Sequence, residues 1–189
     1  MATSNTPFGL KYVSGDIQLI LVDITASTAT AIYKGDCVCV VTAGTYARHT
    51  VGSTGISGVA WAFERSDGTM VSYVPASDTT YNYKAIINIC PDTLYVCQED
   101  GDTTALTLLD MGNTAHLVYT HAGSTTTGIS GMEIDSDTKG TTAGHDVVLI
   151  QLADWLEPDG TATAFGTLAN AKFLVKVHNM VHGQLGTGI

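Results

Sequence analysis

The chain has 189 residues, with eight Lys and Arg against 18 Asp and Glu and a formal charge of −10 at pH 7. Only 14% of residues are charged, against roughly 25% in ordinary soluble domains, and Thr (28) and Gly (20) fill the gap. This composition excludes a coiled coil, a collagenous chain and a disordered acidic tail, and the scarcity of helix formers beside abundant Val and Thr predicts an all-β fold.

Residues 1–16 are polar apart from one apolar island, Pro7-Phe-Gly-Leu10, followed by Tyr12. They predict an extended N-terminal arm ahead of a β-rich body at 17–189. Apolar runs then recur at short intervals, as strands do. Ile17–Ile24, Cys37–Val41, Gly58–Glu64, Met70–Val74 and Tyr83–Ile89 come first. Leu94–Gln98, Ala115–Thr120, Asp146–Leu152 and Lys172–His178 follow. Turn chemistry separates them at Lys34-Gly-Asp36, Ser66-Asp-Gly68, Pro91-Asp92, Asp100-Gly-Asp102 and Pro158-Asp-Gly160.

Ser66-Asp-Gly68 is the best hairpin signal, because Asp-Gly accepts the positive φ angles of the primed turns. Ala105–Asn113 predicts a short helix or an irregular loop. About nine short strands with at most one short helix make a single sandwich or barrel-like domain. Thr-Gly-Ile-Ser-Gly occurs twice, at 54–58 and 127–131. It marks either two similar turns leading into strands or chance in a chain this rich in Thr and Gly.

The eight cations (Lys11, Lys34, Arg48, Arg65, Lys84, Lys139, Lys172, Lys176) are scattered, so neither nucleic acid nor an anionic membrane is an expected partner. No run reaches the ~18 apolar residues of a membrane helix. Met1–Pro7 lacks the basic-then-apolar order of a signal peptide, which predicts synthesis in a cytosol.

Cys37, Cys39, Cys90 and Cys97 lack the spacing of a zinc site. Buried reduced thiols are the favoured reading, with a Cys90–Cys97 bridge across the Pro91-Asp92 turn as the other. His178 and His182 are four apart, but the run before them reads as a strand, where that spacing separates side chains by roughly 13 Å. Asp135-Ser-Asp137-Thr-Lys139-Gly140, with Asp146 at position 12, approaches a calcium loop. Lys139 stands where an oxygen ligand belongs, so a solvated acidic loop is expected. Gly52–Gly58 lacks the Gly-Lys-Ser/Thr ending of a phosphate loop. No cofactor, metal site or catalytic set is indicated, and no enzyme is expected.

The segment Thr6-Pro-Phe-Gly-Leu-Lys-Tyr-Val13 resembles the N-terminal signature of small proteins encoded beside the major capsid protein of tailed bacteriophages. Further similar elements follow in order: Lys34-Gly-Asp36, Gly58-Val-Ala-Trp-Ala-Phe-Glu64, Tyr73-Val-Pro-Ala-Ser77 and Leu94-Tyr-Val-Cys-Gln-Glu-Asp-Gly101. Asp110-Met-Gly-Asn113, Thr126-Thr-Gly-Ile-Ser-Gly-Met-Glu133 and Phe173-Leu-Val-Lys-Val-His-Asn179 complete the set, with His182-Gly-Gln184 behind it.

The resemblance implies a capsid decoration, or cement, protein. Such a protein is β-rich and commonly a homotrimer, and it sits on the outer surface of the expanded head against the major capsid protein. Leu10 and the aromatic residues Phe8 and Tyr12, with Pro7 and Gly9, are then the expected capsid-binding arm, since an exposed apolar cluster needs a docking partner. Docking of Pro7–Leu10 into the chain's own core is the competing expectation. An arm of this kind would be dispensable for folding. The alternatives are a receptor- or carbohydrate-binding head-fibre or tail module, with Trp61 and Trp155 as the large aromatic candidates, and a small trimeric β-enzyme with paired carboxylates.

Overall fold

The computed structural model describes residues 5–41, 44–51, 53, 55–102, 104–153 and 170–181. Residues 1–4, Trp155, the Pro158-Asp-Gly160 turn and His182 lie outside them. The described chain is all-β. Its strands are β1 (Lys11–Ser14), β2 (Leu19–Asp23), β3 (Ile32–Tyr33), β4 (Cys37–Val40), β5 (Tyr46–Arg48), β6 (Gly58–Arg65), β7 (Met70–Val71) and β8 (Tyr73–Val74). They continue as β9 (Tyr83–Asn88), β10 (Leu94–Gln98), β11 (Thr114–Ala115), β12 (Leu117–Val118), β13 (Glu133–Ile134), β14 (Val147–Leu152) and β15 (Lys172–Val177). Two single-turn 3-10 segments, Leu108–Asp110 and Ser136–Thr138, are the helical elements among the described residues.

Two antiparallel sheets carry the fold. The first runs β1-β10-β15-β14-β11 and the second β2-β9-β6-β4-β5, with β7 also paired to β6. In the second sheet, Ile24 bridges Tyr46 and the Thr25 N–H donates to the Tyr46 carbonyl at 2.8 Å. The end of β2 thus meets β5, and the sheet curls into a small barrel around Phe63, Ile87, Val38 and Ile32. The first sheet has its own core of Tyr95, Phe173, Val175 and Leu149, shared with Cys37, Ile56 and Val59 from the barrel side.

Two predicted strands split because each changes partner midway. Within 70–74, β7 pairs with β6 and β8 with β3. Within 114–118, β11 pairs with β14 and β12 with β13. The Ser66-Asp-Gly68 hairpin forms, with Glu64 opposite Met70. Its turn is a three-residue type rather than a primed pair. The Gly68 N–H donates to the Arg65 carbonyl, the Arg65 N–H to the Thr69 carbonyl, and Gly68 alone takes positive φ, at 83°.

The repeated pentapeptide is a recurring local structure. Gly55 and Gly128 both take positive φ, and Ile56 and Ile129 each make an isolated parallel bridge, to Met180 and Lys34. Ser57 and Ser130 are both buried. The Ser57 hydroxyl accepts from the Val40 N–H, and the Ser130 hydroxyl donates to Asp36.

Pro91-Asp92 is not a hairpin turn. It carries the chain from β9 in one sheet to β10 in the other, and Asn88 ties this corner together. Its amide donates to Thr93 Oγ1 (2.8 Å) and Tyr95 Oη (2.9 Å), while its carbonyl accepts from the Gln18 and Cys90 N–H groups. Cys97 lies three strand residues beyond Leu94, roughly 10 Å along β10, inside the first core. Cys90 and Cys97 accordingly do not pair, and all four thiols are free and buried.

Replacing Asn88 by Ala removes a fully buried amide and takes the acceptor from the buried Cys90 N–H and from the half-buried bond of the Gln18 N–H. The expected loss is about 3 kcal/mol of unfolding free energy, read from urea denaturation.

Candidate functional site

The N-terminal segment is part of the body from Asn5 onward, so residue 16 is no structural boundary. Leu10 is buried in the first core and its N–H donates to the Gly35 carbonyl at 2.9 Å. Lys11–Ser14 form β1, antiparallel to β10. Gly9 holds φ at 67°, and a Cβ there would strike Ser130 and the Gly35 carbonyl. Ahead of it, the Thr6 N–H donates to Gln98 Oε1, and Gln98 Nε2 donates to Asn5 and to Glu133. His121 Nδ1 lies 2.8 Å from the same Glu133 carboxylate. Of the expected arm residues, Gly9 and Leu10 are therefore structural, and a chain lacking residues 1–16 loses both a core leucine and a strand.

Pro7, Phe8 and Tyr12 are half-buried. Phe8 and Tyr12 line a groove of about 600 Å³ between β1 and β6, with Leu10, Trp61 and Ile129. Tyr12 meets Trp61 edge-on, with centroids 5.8 Å apart. Lys11 and Lys34 also line the groove and no carboxylate does.

A second apolar surface lies on β2, an edge strand of the second sheet. Val22 points into the barrel core and Ile20 packs beside it, while Ile17, Leu19 and Leu21 face outward at 44%, 45% and 53% exposure. Ile86, opposite Leu21, and Ala62, opposite Ile86, continue the row across the sheet.

Besides the Asn88 corner and the Gln98–Glu133 pair, three clusters of buried polar groups stand out among the described residues. Asp146, which opens the last run before β14, accepts from the Leu117 N–H at 2.9 Å and lies 3.1 Å from His116 Nδ1. Its other oxygen is 2.9 Å from His49 Nε2, an ion pair in geometry rather than an aligned hydrogen bond. Burial drives the Asp146 carboxyl up, but the attraction of His49 and the donors around it win and hold it below the usual range. For His49, burial works downward, yet Asp146 and Cys39 raise it to about 9. Asp146 is thus no calcium ligand: it faces inward, Asp137 is exposed, and Asp135 caps the 3-10 turn by accepting from the Asp137 N–H. Cys39, His49 and Asp146 have the residue types of a nucleophile, a base and its orienter. They are only 4%, 3% and 2% exposed, so the set is shut off from solvent.

Asp36 accepts from the Tyr33 N–H at 2.8 Å and from the Ser130 hydroxyl, and burial outweighs both bonds to raise it to about 7. Glu99 accepts from the Leu106 N–H at 2.8 Å and is likewise raised to about 7, first by burial and then by Asp100 and Asp102. Asp100, Asp102 and Asp135 place carboxylate oxygens within 4.8 Å of one another, and the Ser136 hydroxyl lies 3.1 and 2.8 Å from the first two.

Sequence reasoning missed His49 and Asp146 as partners, because nothing local joins β5 to β14. It also missed the groove, whose walls come from both sheets. Comparison with protein-family models, with curated proteins and with solved structures finds no match to this chain.

Asp36, Glu99 and His49 all carry folded-state pKa values above those of the unfolded chain. Each stabilises the fold most below its unfolded value and loses that contribution as pH rises, through about 7 for Asp36 and Glu99 and about 9 for His49. Asp146 acts at the acid end, its contribution present above its unfolded value of 3.8 and lost as pH falls. Urea titrations should give the greatest stability at about pH 4 and a steady decline from there towards about pH 9.5. A plateau or a rise across that span contradicts the assignment, and Asp36→Asn should roughly halve the slope of its lower half, Glu99 supplying the rest.

Proposed function

We propose that this chain is a bacteriophage capsid decoration protein: a homotrimer that binds the outer surface of the expanded head and stabilises contacts between major capsid protein subunits. The host cytoplasm would be its place of synthesis and the virion its destination. The ordered sequence resemblance suggests the family. The physical observation that carries the reading is the outward row of β2. A strand apolar on both faces is built for burial on both, and Ile17, Leu19 and Leu21 are left in solvent. Contiguous exposed apolar side chains on a stiff scaffold mark a surface that another protein covers.

Binding of this kind stabilises a shell by mass action, because the decorating protein binds the assembled state alone. Rigidity matters to it, since a pre-organised surface loses little entropy on docking. The two cores and the Asp146 and Asn88 clusters supply that rigidity. The role of the N-terminal segment changes accordingly: Leu10 and Gly9 hold β1 in place, and the surfaces offered to a partner are the β2 row and the half-buried rings of Phe8 and Tyr12.

A receptor- or carbohydrate-binding module gains one observation, the Trp61–Tyr12 pair at the groove. Sugar recognition also asks for carboxylates or amides that bond hydroxyl groups, and the groove is walled mainly by apolar side chains. The lattice-binding reading is therefore preferred.

The test adds purified protein to expanded and unexpanded shells of the coat protein encoded beside it and counts bound copies. Wild-type protein should saturate expanded shells. The Leu19→Ser/Leu21→Ser variant, with its circular dichroism unchanged, should bind them roughly tenfold or more weakly. Failure of the wild type to bind any shell, or equal binding by the variant, refutes the reading.

A further inference from the structure

Two buried side-chain oxygens lack a hydrogen-bond partner among the described residues, and both border the same turn. Glu99 is wholly buried; its Oε1 accepts from the Leu106 N–H at 2.8 Å, and its Oε2 is unpaired. Asn170 Oδ1 is the other. It sits so close to the Asp100-Gly101-Asp102 turn that a Cβ on Gly101 would stand 2.3 Å from it, so the approach requires glycine there.

That turn carries carboxylates. Asp100 and Asp102 flank Gly101, and Asp135 comes to them from the end of β13. One carboxylate oxygen of each lies within 4.8 Å of those of the other two, and all three residues are half-buried. The charges that bear most on Glu99 are those of Asp100 and Asp102. The Ser136 hydroxyl is within reach of both Asp100 and Asp102, yet it has one proton and serves one of them. Lys139 reaches the following loop, where its Nζ is engaged by the Ala105 carbonyl and Asp110, each at 3.2 Å.

A buried carboxylate is ordinarily paired with an opposite charge or bound to a metal. Calcium takes its oxygens at about 2.3–2.6 Å, so ligand atoms on opposite sides of the ion stand up to roughly 5 Å apart, and the Asp100, Asp102 and Asp135 oxygens fall inside that limit. The donors are all oxygen, which disfavours metals that select Cys or His. Magnesium keeps several of its waters, whereas calcium accepts a cage of protein oxygens. The cage is also pre-built. The Glu99 N–H donates to the Ala171 carbonyl (2.9 Å), the Asp100 N–H to the Ile134 carbonyl (3.0 Å) and the Asp135 N–H to the His116 carbonyl (3.0 Å).

We infer that this chain binds one calcium ion between the turn after β10 and the end of β13, held by Asp100, Asp102 and Asp135 and backed from the buried side by Glu99 Oε2. This is not the calcium-like spacing of 135–146, since Asp137 and Asp146 take no part. The ion would tie together the segments that leave β10 and β13 and, through Asn170, the one that enters β15. The inference goes beyond the decoration reading and needs no capsid.

The experiment strips the full chain with EDTA, removes the chelator, titrates CaCl2 by calorimetry and follows thermal unfolding with and without calcium. One ion should bind per chain. At about 2 mM calcium, a hundred times a dissociation constant of about 20 µM, the unfolding midpoint should rise by about 5–10 °C. Asp102→Asn and Glu99→Gln keep the side-chain shape and remove one charge, and each should weaken calcium binding about tenfold or more. In EDTA both should unfold no lower than wild type, because losing one of several like charges relieves repulsion. Asp137→Asn, exposed and outside the group, should bind as wild type does. Absence of calorimetric binding, weak multi-site uptake that neither substitution alters, or wild-type affinity in Asp102→Asn or Glu99→Gln overturns the inference.

Discussion

One buried carboxylate determines how the two halves of this molecule sit. Asp146 belongs to the first sheet, and its partners are His49, which leaves β5 of the second sheet, and His116 with the Leu117 N–H at the β11–β12 changeover. A charge taken out of water is tolerated only where its partners are fixed around it. Removing one partner of such a pair typically destabilises by about 3–5 kcal/mol, because the other is left charged and alone. The raised His49 and the lowered Asp146 are two sides of one interaction that links the barrel to the first sheet. β1 and β6, which wall the groove, likewise belong to different sheets, and the Leu10 N–H bond to the Gly35 carbonyl ties the N-terminal segment to the barrel side.

What the cores do not cover is as informative as what they do. The chain packs its first core against residues borrowed from the barrel side, so neither sheet is complete alone. Yet β2 shows an apolar row to solvent and the Leu108–Asp110 turn holds two leucines outward. Neither feature serves the isolated fold, and both sit on stiff elements. A stiff body with unpaired apolar faces is suited to contacts with other chains, and the enclosed Cys39, His49 and Asp146 have no comparable route to a substrate.

Much of the architecture was legible in the sequence where local chemistry decides it. Leu94–Gln98 is a strand with the bounds its apolar run suggests, and Ser66-Asp-Gly68 is a hairpin because Gly68 alone is needed at positive φ. Two-residue strands such as β3 and β11 carry no periodicity and exist only through their partners. The Pro91-Asp92 signal was a true turn, but no sequence rule says that it joins two sheets. The segment at Pro7–Tyr12 reads as an arm until Leu10 is seen in the core. Asp146 fell in a calcium-like spacing, and only the fold turns it inward to histidines far away along the chain.

Amide hydrogen exchange, compared between the free chain and the chain mixed with expanded capsid shells, addresses the central claim most directly. The account predicts slow exchange in β10, β14 and β15 in both states, with residues 17–23 of the β2 edge gaining protection only on binding. Equal exchange of residues 17–23 in the two states would contradict it.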